Sequence, residues 1–125
     1  MNKKVVVFSQ LDQDVLQRLQ AQYHVVVINP KQGDVNEQIR EQVKDADAMI
    51  GAGRLLNESN LATAQQLKII SSVSVGYDNY DLAYLNQKKI WLTNTPHVLT
   101  ETTADLAFTL LMSAARKVPY LDQWT

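Results

Sequence analysis

Residues 67–81 read LKIISSVSVGYDNYD, an apolar run that gives way to small polar residues, one glycine and a cluster of Asp, Asn and Tyr. The run from Leu67 to Val73 has the length and apolar character of a fully buried strand in a parallel sheet. Gly76, just beyond it, lets the backbone turn sharply and come close to a ligand. Such a turn offers bare amide donors to an anion. The amides of Val75 and Gly76 are expected to point into a cleft at the carboxyl edge of the sheet, where open α/β sheets bind ligands. Two convergent amides suit a carboxylate. The alternative is a glycine needed for the turn alone.

Strand and helix patterns alternate on both sides of this segment. Lys4 to Ser9 predicts a first strand, and Asp12 caps a helix whose Val15, Leu16, Leu19 and Tyr23 share one face. Val25 to Ile28 predicts a second strand. Pro30 and Gly33 mark a loop, Ile39 and Val43 pattern a short amphipathic helix ending near Lys44, and Ala48 to Gly51 predicts a third strand. Asn57 caps a helical turn through Leu61 and Ala64. After the fourth strand, Asp81 to Asn86 predicts a short helix and Ile90 to Thr93 a fifth strand, closed by Pro96. This alternation implies an α/β chain: a flavodoxin-like doubly wound parallel sheet of about five strands, with helices on both faces and right-handed crossovers.

The last helix departs from that pattern. From Ala104 to Ala115, Leu106, Phe108, Leu110, Leu111 and Met112 surround its axis together with four alanines. A helix apolar all round is expected to be buried on all sides. Its uncharged stretch falls short of the about 20 residues that cross a bilayer. Burial in a larger assembly is the expectation, and without it the helix exposes apolar surface. Pro119 predicts a break, with Tyr120 to Thr125 as a frayed tail.

Composition narrows the function. Twelve basic and thirteen acidic residues leave a formal charge of −1, so neither nucleic acid nor an anionic membrane is an expected partner. The chain has no cysteine, which rules out disulfides and thiolate chemistry and fits a cytoplasmic protein. Only four apolar residues, Val5 to Phe8, follow the amino-terminal lysines, too few for a signal core.

Two segments, VGYDNYD within residues 75–81 and TPHVLTETTADLAFTLLMSAARK over residues 95–117, together resemble the amino-terminal part of the D-isomer-specific 2-hydroxyacid dehydrogenases, most closely their glyoxylate/hydroxypyruvate reductase branch. The resemblance implies a substrate-binding domain over residues 1–99, then an interdomain and dimerisation helix over 100–125. It also implies reduction of a small 2-oxo acid to the D-2-hydroxy acid with NADP or NAD, and a homodimer formed through the helix at 101–118. The family binds its dinucleotide on a GxGxxG turn, which needs three glycines within six residues. Here the four glycines are Gly33, Gly51, Gly53 and Gly76. The expectation is therefore a truncated piece of a longer enzyme that is inert alone, with no cofactor bound to it. The family's catalytic His, Glu and Arg match no residue of this chain.

The resemblance implies that Val75 and Gly76 hold the substrate carboxylate and that Gly53 and Arg54 form another wall of the same pocket. There the Arg54 guanidinium would pair with a carboxylate or a distal hydroxyl. The alternative for Arg54 is a solvated loop arginine. Thr103 is expected, again by resemblance, to touch the nicotinamide-ribose portion of the cofactor; its alternative is a first-turn threonine facing solvent. Thr100 is expected to cap the helix.

Other constellations carry less. Asp78, Asn79 and Asp81 bring oxygens together without the Glu that closes a calcium loop, so turn bonding and capping are expected of them and no metal. His24 starts an apolar strand, and no carboxylate at obvious spacing orients His97. Ser71, Ser72 and Ser74 lack an adjacent base. The competing function is a free-standing flavodoxin-like ligand-binding or dimerisation module. A phosphoacceptor receiver is excluded, because Phe8, Ser9 and Gln10 follow the first strand where it needs acids.

Overall fold

Five short segments, in which Val and Ile are the commonest residues, pair as parallel strands: β1 (Lys4–Val7), β2 (His24–Val27), β3 (Ala48–Gly51), β4 (Ile69–Ser72) and β5 (Trp91–Thr93). Their order is β2-β1-β3-β4-β5, so the chain reverses direction across the sheet between β1 and β3. This is the doubly wound layout expected from the sequence. The computed structural model describes residues 3–123, which fall in two compact units divided between Thr95 and Pro96.

The first unit carries the sheet and four helices: α1 (Gln13–Gln20), α2 (Val35–Gln42), α3 (Glu58–Leu61) and α4 (Leu82–Lys88). Each starts on a side chain that accepts from the first-turn amides: Asp12 from Asp14, Asp34 from Glu37, Asn57 from Ser59 and Asp81 from Tyr84. The alternation of β-strand side chains divides the valines of β1. Val6 joins Met49, Ile70 and the inward residues of α2, α3 and α4, including Ile39, Leu61 and Leu85, in one buried cluster. Val5 and Val7 are buried on the opposite face.

β3 has the expected bounds, β1, β4 and β5 are shorter than expected, and β2 is shifted by one residue. β1 ends at Val7, although the Phe8 N–H still bonds the Ile50 carbonyl at 3.0 Å, and β2 starts at His24, whose N–H bonds the Lys3 carbonyl. β4 is not buried throughout: Ile69 and Ser71 are half-buried and alternate with buried Ile70 and Ser72.

At the start of β1, two lysines grip the turn before β3. Lys3 Nζ and the Lys4 N–H both donate to the Asp47 carboxylate at 2.9 Å, and Lys4 Nζ pairs with Asp45. These hydrogen bonds, from Lys3 and Lys4 respectively, hold both carboxyls below their usual range. A carboxyl depressed in the folded state stabilises it above the unfolded-state value and loses that contribution as pH falls through the folded value. Urea unfolding midpoints are therefore expected to fall as the medium drops below about pH 4, and Asp47→Asn should flatten that acid limb. An unchanged acid profile in Asp47→Asn would show that the Lys3–Asp47 pair contributes nothing.

The second unit holds α5 (Thr100–Ala115) and α6 (Val118–Asp122). No helix is long and apolar enough to cross a membrane among the described residues. The cap position of α5 is Leu99 rather than Thr100: the Thr103 N–H and the Thr102 hydroxyl both donate to the Leu99 carbonyl, so Thr100 is already helical. The helix also ends earlier than residue 118. Lys117 adopts a left-handed φ of 53°, and Pro119 sits in the first turn of α6, a position that needs no N–H. Tyr120 to Asp122 are thus helical rather than a frayed tail, while Trp124 and Thr125 lie outside the described residues. Leu106, Phe108, Leu110 and Leu111 are each at least 58% exposed, so the all-round apolar surface of α5 is uncovered in this chain.

Candidate functional site

At the carboxyl edge of the sheet, the strand order puts the loops after β3 and β4 side by side. A chain of hydrogen bonds fastens one to the other. The Val73 N–H donates to the Gly51 carbonyl at 2.9 Å, the Leu56 N–H to the Asn79 carbonyl at 2.9 Å and the Asp81 N–H to the Leu56 carbonyl at 3.1 Å. The Asn79 side-chain amide donates to the Arg54 carbonyl. Asp81 also caps α4, and Tyr80 is buried in the core. Asn79 and Asp81 of DNYD are thus explained by loop bonding and capping, and no group of metal-ligating side chains forms among the described residues.

Val75 and Gly76 lie on the exposed rim of the loop after β4. Their amide N–H groups donate to no partner among the described residues. Their carbonyls, in contrast, are taken. The Val75 carbonyl accepts from the Asn94 side chain and the Gly76 carbonyl from the Ser74 hydroxyl, both at 2.9 Å. Ser74 is itself bonded to Ser72 at 2.8 Å. Two unpartnered N–H groups on successive residues make a donor pair that an oxyanion satisfies.

The sharp turn expected at Gly76 is not what that glycine provides. Gly76 is outside the left-handed region, and a Cβ built on it meets nothing within 4 Å. The missing side chain leaves open space beside the amide. Gly53 does adopt a left-handed φ of 70°. It turns the loop after β3 into a crevice of about 660 Å³, whose walls include Ser9, Gln10, Asn29, Gln32 and Arg54 over a floor of Phe8 and Ile28. The loops after β1 and β3, which border the reversal of strand order, are joined by the Ala52 N–H donating to Ser9 Oγ at 2.9 Å. Arg54 is half-buried, and its guanidinium has no hydrogen bond or ion pair among the described residues.

Gly53 with Arg54 and Val75 with Gly76 therefore share the carboxyl edge and are tied through Asn79, but the pocket-lining residues of the crevice include only the first pair. Sequence reasoning missed three contributors: Ser9, Asn94, and Arg40, which lines a smaller cavity of about 250 Å³ on the other side of Arg54. Asn94 itself falls between the fifth strand, which ends at Thr93, and the TPHVLT segment that starts at Thr95, and neither pattern marks it. Thr103 is exposed in the first turn of α5, in the second unit.

The chain matches the family model for the catalytic domain of the D-isomer specific 2-hydroxyacid dehydrogenases over residues 5–117. It is 37% identical over 123 residues to a probable 2-ketogluconate reductase of Dictyostelium discoideum, covering 98% of this chain and 37% of that protein. A glyoxylate/hydroxypyruvate reductase B of Erwinia tasmaniensis is 37% identical over 118 residues, covering 94% and 37%. Among solved structures, an NADPH-dependent glyoxylate/hydroxypyruvate reductase from Sinorhizobium meliloti in complex with NADP and malonate is 29% identical with a TM-score of 0.74, covering 99% of this chain and 38% of that one. A 2-hydroxyacid dehydrogenase from Ketogulonicigenium vulgare is 25% identical with a TM-score of 0.82, covering 99% and 39%. The chain spans less than two-fifths of the length of these relatives.

Proposed function

Because the chain belongs to the D-isomer specific 2-hydroxyacid dehydrogenase family, as part of its catalytic domain, we propose that it binds the carboxylate of a small 2-oxo acid on the Val75 and Gly76 amides. The observation that carries this reading is the pair of N–H groups without partners beside an open glycine face. Gly53 and Arg54 would serve the far end of the substrate, where a guanidinium free of internal partners can bond a hydroxyl or a second carboxylate. The enzyme to which this binding part belongs would reduce glyoxylate or hydroxypyruvate to the D-2-hydroxy acid, as the names of the Erwinia and Sinorhizobium relatives suggest.

NAD or NADP would supply the hydride. A pyrophosphate cradle needs clustered glycines at a strand–helix turn, and Gly33, Gly51, Gly53 and Gly76 form none. Toward the cofactor this chain would contribute the Thr103 contact alone, so by itself it would bind substrate without reducing it. The uncovered apolar side chains of α5 favour a homodimer built on that helix. A cytoplasmic location fits the absence of cysteine.

Titration of the ¹⁵N-labelled chain with glyoxylate tests the reading. The Val75 and Gly76 amide resonances are expected to move together and saturate with a Kd on the order of mM, the strength of a few unassisted hydrogen bonds. Silence at both amides would remove the proposal.

A further inference from the structure

We infer that Asn94 is a positioning residue for the carboxylate cradle, acting through the Val75–Gly76 peptide unit; the inference rests on the carboxylate reading of those two amides. A trans peptide points its C=O and the next residue's N–H in opposite directions within one rigid plane, and the chain has no cis peptide among the described residues. Fixing a carbonyl therefore fixes the direction of the N–H that follows it.

Two consecutive carbonyls of the turn are anchored on the short segment that follows β5. The Thr95 N–H donates to the Ser74 carbonyl at 2.9 Å, which fixes the plane bearing the Val75 N–H. The Asn94 side-chain amide donates to the Val75 carbonyl at 2.9 Å, which fixes the plane bearing the Gly76 N–H. Both carbonyls point toward residues 94–95, so both N–H groups are aimed away from them, and a Cβ built on Gly76 meets nothing within 4 Å. An exposed turn without these anchors would be free to rotate either peptide, and the two donors would converge only part of the time. The ordering is done in advance, so an arriving carboxylate does not have to supply it.

The two anchors differ in kind, and that difference supplies an internal control. The Val75 N–H is oriented by a backbone donor that no substitution at residue 94 removes. The Gly76 N–H is oriented by a side chain. Loss of the Asn94 amide should therefore disable one donor and spare its neighbour. A residue that merely tied the end of β5 to the loop after β4 would, when removed, loosen both.

The test is the glyoxylate titration of the ¹⁵N-labelled chain in three forms: wild type, Asn94→Ala and Asn94→Asp. The aspartate keeps the shape and presents an oxygen lone pair to the Val75 carbonyl in place of an N–H. Both variants are expected to keep the wild-type unfolding midpoint to within a few degrees and the Val75 response to glyoxylate. Both should lose the Gly76 response, and glyoxylate should bind about tenfold more weakly, as for one hydrogen bond to a charged group. Wild-type affinity with an intact Gly76 response in either folded variant would overturn the inference, and so would equal loss at both amides. If the wild-type chain itself shows no response at Val75 or Gly76, the carboxylate reading fails and the inference falls with it.

Discussion

Gly51→Ala is expected to lower the unfolding free energy by about 2–3 kcal/mol, the upper part of the range for overpacking a filled core. A Cβ built on Gly51 stands 2.8 Å from Phe8 Cδ2 and 2.9 Å from two further atoms of the same ring. No real contact survives at that distance, so the ring must move. It has nowhere to go cheaply, because Phe8 is 2% exposed and belongs to the cluster that contains Val6, Ile28 and Ile39. The backbone on both sides is also committed: the Phe8 N–H bonds Ile50, and the Gly51 carbonyl accepts from Val73. A ring displaced by the new methyl would push on Ser9, whose hydroxyl holds the Ala52 N–H. The damage should therefore reach the Gly53–Arg54 loop as well as the core. Urea unfolding of Gly51→Ala, Phe8→Leu and the double variant measures it. The double variant should be more stable than the sum of the two losses, since the smaller leucine makes room for the methyl. Additive losses would show that the Phe8 ring is not what Gly51 accommodates.

The fold was legible because the patterns that specify it are local. Four successive apolar residues at Val5–Phe8 and the Leu67–Val73 run mark strands at sight, and Asp12, Asn57 and Asp81 are caps by side-chain chemistry alone. The break at Lys117 was not legible, because a left-handed lysine leaves no compositional mark and Pro119 drew attention to the wrong residue. At the candidate site, the glycine and its neighbours stood out, while the groups that orient them did not. Asn94 reaches Val75 across 19 residues, Asn79 reaches Arg54 across 25, and Ser9 reaches Ala52 across 43. Such pairs are set by strand order and register, which periodicity implies only as a class. A glycine also announces itself without saying why it is there. Gly53 and Gly76 read alike in the sequence, yet the first has the left-handed backbone and the second does not.

That difference makes Gly76→Ala the sharper functional test. At Gly53 a side chain would strain the backbone; at Gly76 it would meet nothing of the chain itself within 4 Å. The alanine variant should fold at least as stably as the wild type, by up to about 1 kcal/mol, because alanine restricts the unfolded chain where the native backbone tolerates it. Only a group arriving from outside would feel the new methyl beside the amide. Glyoxylate binding to the variant chain should therefore weaken tenfold or more, since a carboxylate held off one N–H loses a hydrogen bond to a charged acceptor. Stability and affinity are to be read on the same sample, by urea midpoint and by titration of the Val75 and Gly76 amides. Opposite movement, with stability held or raised and affinity lost, is the result that a glycine kept for its ligand produces. A loss of stability above about 1 kcal/mol would return Gly76 to the role of a turn residue. Unchanged affinity in a folded variant would mean that no carboxylate approaches that face.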